Sequence, residues 1–410
     1  MSSSMQEPAV CKSDSNAEEK KQVIRLLRIQ SRICIGGPAL NTINLSAGLS
    51  NRNYQTLLVG GQLLADEKSM IPFARERGVA VQLLPEMGRS VSVFDDWKAF
   101  WRVVSLIKRF KPHVVHTHTA KAGAIGRLAA WYCRVPLRVH TFHGHVFHGY
   151  FSPLKTRLAI WTEQVLARLS HRIIAISKKQ HRDLTQIYKI VPERKCRIVP
   201  LGFELNRVIR GKPGSFREQL GLDSDVMLCG ILARLVPIKN HRFLVESIAA
   251  WKRRFSNAPP KKVKFLIIGD GELREDLETQ VRATQLEEEV IFTGWIRETD
   301  AIYADLDLNM LVSMNEGTPV TLIEGMAAGV PILAKDVGGI RDIAPKGAGH
   351  ILDADCTPQE FAAAIQEFVE NPARLERSIR EEILRRFGVD RLIDDMDRVY
   401  QDFFKKAGTP

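Results

Sequence analysis

Short apolar runs separated by stretches of helical spacing recur from residue 23 to beyond residue 330, and this alternation leaves few folds open to the chain. In the first half the runs fall at 23–29, 55–59, 79–84, 113–116, 137–141 and 172–176; in the second, at 226–232, 263–268, 290–292, 307–312 and 330–333. Each is short enough for a strand, and many are apolar on consecutive residues, as strands covered on both faces are. Strands alternating with helices build parallel, doubly wound sheets. A chain of 410 residues exceeds one ordinary core. The expectation is therefore α/β: a tail at 1–20 with the composition of disorder, a Rossmann-like domain at 21–205 and a second at 206–390. The linker is expected near Pro200 to Leu205, and a last helix at 391–410.

The stretch from Ser313 to Glu324 carries the most chemistry, because it sets two carboxylates eight residues apart around the start of a helix. Gly317 loosens the turn, Thr318 is expected as the N-cap and Pro319 at the first helical position, followed by Val320. The first turn then offers free backbone N–H groups and the positive end of a dipole to a diphosphate. Glu316 lies in the loop, and Glu324 projects back along the helix toward the same end. Carboxylates there suit sugar hydroxyls rather than phosphate. A second anion site precedes it. After the run at 226–232, Arg234 and Lys239 share one loop at a strand's carboxyl end, where a fork and a point charge meet the charge of a departing diphosphate.

The pairing of the Gly230 to Leu235 run and Lys239 with the Glu316 to Glu324 motif resembles the retaining glycosyltransferases of family 4, which have the GT-B fold. The likeness runs from about Val23 to the last helix, and Gly269 to Leu273 and Thr293 to Trp295 stand where that family has its loop after the second strand and its turn near the base. The resemblance implies two facing Rossmann-like domains with an interdomain cleft, the first binding acceptor and the second nucleotide-sugar. It implies donor-sugar contact for Glu316, ribose for Glu324 and diphosphate for Arg234 and Lys239. It also implies a helix that crosses back to the first domain.

Loops at the carboxyl ends of first-half strands should form the opposite wall. Gly36 and Gly37 before Pro38 let backbone approach a phosphate. Seven of the eleven histidines fall between His113 and His148. A metal reading is weak, because these histidines lie on different loops and no HExxH joins them. His113 and His140 are read as packing inside strands. In the resemblance His143 is placed near the donor sugar, leaving His118, His145 and His148 as acceptor-side candidates, and the aromatic, histidine-rich run from Phe142 to Tyr150 as a lid or a wall for an acceptor sugar.

Charge divides unevenly: residues 21–205 carry 29 Lys and Arg against 10 Asp and Glu, and residues 206–410 carry 28 against 33. A basic half suits an anionic membrane face, a phosphate-bearing acceptor or plain solubility; no motif for reading nucleic acid accompanies it. The cationic, aromatic segment 97–111 has the pattern of a helix able to lie on a membrane surface or to cover a sheet. Asp305 and Asp307 spell DxD but precede a buried strand, and a strand-entry turn explains them. Six scattered cysteines without a CxxC pair argue against zinc and disulfides. No uncharged apolar run spans a bilayer, and no signal-peptide core is seen.

Together these readings point to a hexosyltransferase that uses a nucleotide-diphosphate sugar. It is expected to be cytoplasmic, with peripheral contact at the inner membrane face, and to need no metal or other cofactor. The acceptor expected is a glycan or a polyprenyl-diphosphate-linked saccharide, as in surface polysaccharide assembly. A nucleotide-sugar 2-epimerase and a non-catalytic nucleotide-sugar-binding subunit are the alternatives.

Overall fold

The computed structural model describes residues 23–63, 68–88, 92–144, 153–255 and 262–407. In the first half β1 (Ile24–Arg32), β2 (Tyr54–Gly61), β3 (Val81–Leu84), β4 (Val114–His118), β5 (Leu137–Phe142), β6 (Arg172–Ala175) and β7 (Cys196–Ile198) form a seven-stranded sheet in the order β3-β2-β1-β4-β5-β6-β7. In the second, β8 (Met227–Leu232), β9 (Val263–Ile268), β10 (Val290–Gly294), β11 (Leu308–Leu311), β12 (Ile332–Lys335) and β13 (Gly349–Leu352) form a six-stranded sheet ordered β10-β9-β8-β11-β12-β13. All pairings within both sheets are parallel. The strand order reverses between β1 and β4 and between β8 and β11. Doubly wound sheets bind ligands outside the carboxyl ends of strands at such points.

Two strands go beyond the sequence reading, β7 and β13, both short edge strands. His113 lies just before β4 rather than within a strand, half-buried, and its ring nitrogen accepts from the Arg25 amide at 3.1 Å.

Helix Val389–Ala407 leaves the second half and lies on the first sheet. Leu392, Ile393, Met396, Tyr400 and Phe404 join Leu26, Val114 and Val139 in one buried cluster. At about 1.5–3 kcal/mol per fully buried large apolar side chain, this seam is a strong clasp between the halves. Gly48 makes the close approach possible, because a Cβ there would stand 2.1 Å from Ile393 Cδ1. Arg391 adds bonds to the backbone oxygens of Pro200 and Leu201, at 2.9 and 2.6 Å.

Helix Val93–Phe110 begins and ends by local chemistry. The Ser92 hydroxyl accepts from the Asp95 amide, Asp95 and Asp96 sit at the positive end of the dipole and Lys108 and Arg109 at the negative end. Lys111 turns left-handed and closes the last turn on Ile107.

Candidate active site

Beyond the carboxyl end of β11 the chain turns through Ser313 to Gly317, and Glu316 is fixed there from two sides. The buried Ser313 hydroxyl and the Lys239 ammonium each donate to Glu316 Oε1 at 2.6 Å. Among the described residues no bond reaches Oε2. The loop after β12 supports this turn from behind: a Cβ on Gly338 would lie 1.6 Å from the Glu316 backbone oxygen, and one on Gly339 would lie 2.5 Å from that of Gly317. Gly338 also has a φ of +60°, so two independent reasons exclude a side chain there.

The helix spans Val320–Ala327, one residue later than the sequence suggested. Pro319 is the N-cap itself, extended at φ −75° and ψ 99°, and Thr318 makes no capping bond, so the expected Thr318 cap is corrected. The physical reason is that Pro319 keeps the φ of a helix but not its ψ. The first-turn amides remain free of side-chain caps, as a phosphate seat requires. Asn309 in β11 anchors this turn by donating Nδ2 to the Thr321 oxygen at 2.8 Å.

Glu324 lies one turn further on, mostly buried. It accepts from the Tyr303 hydroxyl at 3.1 Å, and Arg207 stands 3.6 Å from its other oxygen. Burial raises its carboxyl above the ordinary range, while Arg207 and the Tyr303 bond pull it back down.

A cavity of about 290 Å³ opens between the two sheets at these loops. From the second half it is lined by Leu232, Lys239, Glu316, Gly317, Thr318, Pro319, Val320 and Thr321. From the first half and the connection it is lined by Gly37, Pro38, His143, Ile176 and Leu201. Gly37 follows Gly36 at the start of helix Gly37–Ser50 and faces Val320 across the gap, its Cβ position 4.0 Å from Val320 Cγ2. His143 follows β5, and its Nε2 lies 2.9 Å from His118 Nδ1. Burial pushes His143 down to about 4, and His118 falls well below its ordinary value, through burial first and then the neighbouring His116, His143 and Arg28.

Other candidates stand outside the lining. Arg234 is exposed on the β8 loop. Gly36, which is exposed, Glu324, which is mostly buried, and His118, which is fully buried, are not part of the lining, and His145 and His148 fall outside the described residues. Asp305 and Asp307 are consumed structurally. Asp305 accepts from the amides of Phe216 and Arg217 at 2.8 and 3.0 Å, and Asp307 from Arg217 Nη2 and the Leu228 amide at 2.8 and 2.9 Å. His116 and His140 are likewise committed, His116 to Tyr400 and Thr141 at 2.6 and 2.7 Å, His140 to Thr117 at 2.9 Å. Sequence reasoning gave no role to Ser313, Arg207, Tyr303 or the Gly338-Gly339 pair. Only that last pair left a sequence signal, a Gly-Gly three residues beyond the end of a strand.

With this geometry in place, comparison with known proteins is informative. The family model described as "Glycosyl transferase 4-like domain" matches residues 36–202, and that described as "Glycosyl transferases group 1" matches residues 225–371. One model falls on each sheet, and the cleft lies between them. The chain belongs to the GT4-type bacterial glycosyltransferases. Within this family it is 25% identical over 346 residues to the UDP-Gal:alpha-D-GlcNAc-diphosphoundecaprenol alpha-1,3-galactosyltransferase of Escherichia coli, covering 83% of this chain and 88% of that enzyme. It is 23% identical to the capsular polysaccharide biosynthesis glycosyltransferase CapM of Staphylococcus aureus, covering 78% and 85%. The GT-B fold is shared with Anabaena Alr3699/HepE, solved in complex with UDP and glucose, at a TM-score of 0.76, 20% identity and coverage of 92% and 100%. The GT4 chain is thus an enzyme that transfers hexosyl groups from nucleotide sugars.

Proposed function

We propose that this glycosyltransferase moves a hexose from a UDP-sugar to a saccharide carried on a polyprenyl diphosphate, with retention of anomeric configuration and without a metal. The observation that carries the reading is the set of groups on one cavity: a carboxylate held by Lys239 and Ser313, an uncapped helix start at Val320 and a glycine loop opposite. The diphosphate seats on the Val320 and Thr321 amides with Lys239 beside it, which neutralises leaving-group charge without a bound cation. Glu316 Oε2 accepts from a donor-sugar hydroxyl, and the carboxylate stabilises positive charge at the anomeric carbon. The C1–O bond to the diphosphate breaks. The acceptor oxygen bonds to C1 on the face just vacated, and its proton passes to a diphosphate oxygen. Glu324, with Arg207 and Tyr303, is assigned to the ribose, and His143 to orienting the sugar.

UDP as the nucleotide, the lipid-linked acceptor and a role in surface polysaccharide assembly are supported by the likeness to the galactosyl- and capsular transferases above. A lipid-linked acceptor also gives the basic first half a partner and suits an enzyme working at the inner membrane face. The test is transfer from α-linked UDP-hexoses to a lipid-diphosphate disaccharide, in buffer with and without EDTA, with NMR of the product's anomeric proton. An α-linked product at undiminished rate in EDTA is expected. A β-linked product overturns retention, and activity restored only by a divalent ion overturns the metal-free mechanism.

A further inference from the structure

We propose that the outer face formed by the three helices Val93–Phe110, Ala120–Tyr132 and Pro153–Arg168 is a docking surface for an anionic lipid bilayer. Of seventeen exposed large hydrophobic residues among the described residues, ten lie on these helices, including four of the chain's six tryptophans. Such clustering is more than the scattered apolar exposure normal on a monomer.

The helix Pro153–Arg168 is the clearest case. Its inner face buries Leu166 and Ala167, yet Leu154, Leu158, Trp161 and Val165 repeat at helical spacing on the outside, with exposures of 79, 61, 61 and 37%. A surface helix apolar on two faces has one face without a partner. The patch passes from the first helix onto the second, and the third helix is packed beside them. Trp97 and Trp101 meet at 6.4 Å, Trp101 meets Tyr132 at 5.7 Å, and the buried Arg127–Glu163 ion pair at 2.8 Å ties the second helix to the third.

Charge complementarity selects the occupant. Lys98, Lys155 and Arg157 are exposed beside the aromatic residues, as is Arg102, which pairs with Glu86 at 3.0 Å, and the acidic Asp96 and Glu163 are paired with Lys121 and Arg127. Residues 21–205 carry 29 basic against 10 acidic groups. Tryptophan and tyrosine with flanking cations are the composition that settles at a bilayer interface. No helix among the described residues is long and apolar enough to cross it, so contact is along the surface. The helices also begin at the carboxyl edge of the strands, the edge at which the cavity opens. Leu154 and Phe94, in their first turns, therefore lie toward the cleft mouth, where a lipid-borne saccharide would enter. That last point rests on the acceptor proposed above; the surface itself does not.

The experiment uses the full chain with vesicles of phosphatidylcholine, with and without phosphatidylglycerol. Co-sedimentation with the anionic vesicles, a blue shift of tryptophan emission and loss of both at high salt are expected. Leu158→Ser with Trp161→Ser should weaken binding at least about tenfold, since two partly buried apolar side chains are removed from the interface. Lys155→Glu with Arg157→Glu should weaken it through charge alone, and Trp161→Phe should retain it. Transfer to a water-soluble acceptor analogue is expected to be unchanged in all of them, which shows that they fold. Binding that is absent, indifferent to phosphatidylglycerol or unmoved by both double variants overturns the proposal. So does a concentration-dependent dimer abolished by the Ser variants, which would assign the face to a second copy. Vesicle binding without transfer to lipid-linked acceptors leaves the surface standing and removes the acceptor reading instead.

Discussion

The two walls of the cleft are built on similar sheets but from opposite electrostatics. The second-half wall is ionic: Glu316 and Lys239 are paired at 2.6 Å, and a third group, Ser313, holds the same carboxylate oxygen. The first-half wall is glycine and apolar residues around one imidazole that burial keeps neutral, His143 at about 4, which is bonded to His118, itself well below its ordinary value. An ion pair with a rigid backing recognises charge. A neutral imidazole recognises by hydrogen bonds and loses its acceptor once protonated. The first wall should therefore tune and the second should react.

Removing the reacting charge should give the largest effect. Glu316→Gln is expected to lower transfer by about 10²–10³-fold, the scale of losing one preorganised electrostatic group. UDP affinity should stay the same or tighten, because Lys239 loses its carboxylate partner and becomes free for the diphosphate. Calorimetric UDP titration and turnover on one preparation check this. Near-normal turnover would move the reacting role across the cleft to the histidines.

The backing is tested next. Gly338→Ala puts a Cβ on the Glu316 backbone at a φ of +60°, so the loop must shift. Transfer should fall by about 10²-fold, as expected of a displacement near 1 Å. Gly221 has a φ of +65° with open space around it, so Gly221→Ala carries the same strain without the push. It should lower the melting temperature and leave turnover alone. Equal activity losses in the two variants would mean that rigidity behind Glu316 is unimportant.

Within the ionic wall the two cations should separate. Lys239 lines the cavity and Arg234 does not. Lys239→Ala is expected to weaken UDP by about 10–100-fold, the range for a charged hydrogen bond, and UMP much less. Arg234→Ala should cost less for both. If Arg234→Ala proves the more damaging, the loop after β8 closes over the ligand and the open geometry understates its part.

The fold was legible wherever a strand was buried on both faces, because runs such as Met227–Leu232 are too short for a spanning helix and apolar on every residue, as a doubly covered strand is. It was illegible at the edges: Cys196–Ile198 is three residues long and half exposed, and Gly349–Leu352 begins with a glycine. In the site, Lys239, Glu316 and Gly37 could be named because local signals, a strand end, a helix start and a glycine pair, mark them one by one. What supports them could not. Arg207 and Tyr303 reach Glu324 only through tertiary folding, and nothing in the sequence ties Gly338 to Glu316. Thr318 was misread because proline fixes φ alone, so its presence marks a helix start to within a residue. Of the ten exposed hydrophobics only those in the segment 97–111 drew a surface reading from sequence; the stripe on Pro153–Arg168 did not, since periodicity cannot tell an unpartnered stripe from a buried one.

The smallest expected effect separates the walls by pH. An unfolded histidine titrates near 6.5, whereas burial lowers His143 and His171 to about 4 and puts His116, His118 and His140 well below their ordinary value, with Arg28 and Arg127 adding repulsion. Between these values the unfolded chain binds protons that the folded chain refuses, so stability is complete above about pH 6.5 and declines as pH falls toward about 4. In the second half burial lowers His241, again to about 4, and Glu324 acts in the opposite sense, since its raised carboxyl takes up a proton more readily when folded. Acid should consequently loosen the first sheet before the second. Hydrogen exchange at pH 7 and pH 5 reads this directly. Amides of β4 and β5 should lose protection at the lower pH while those of β9 and β11 keep theirs. Equal loss in both sheets, or loss in the second first, would show that the buried imidazoles do not set the acid response and that the two walls differ in charge without differing in stability.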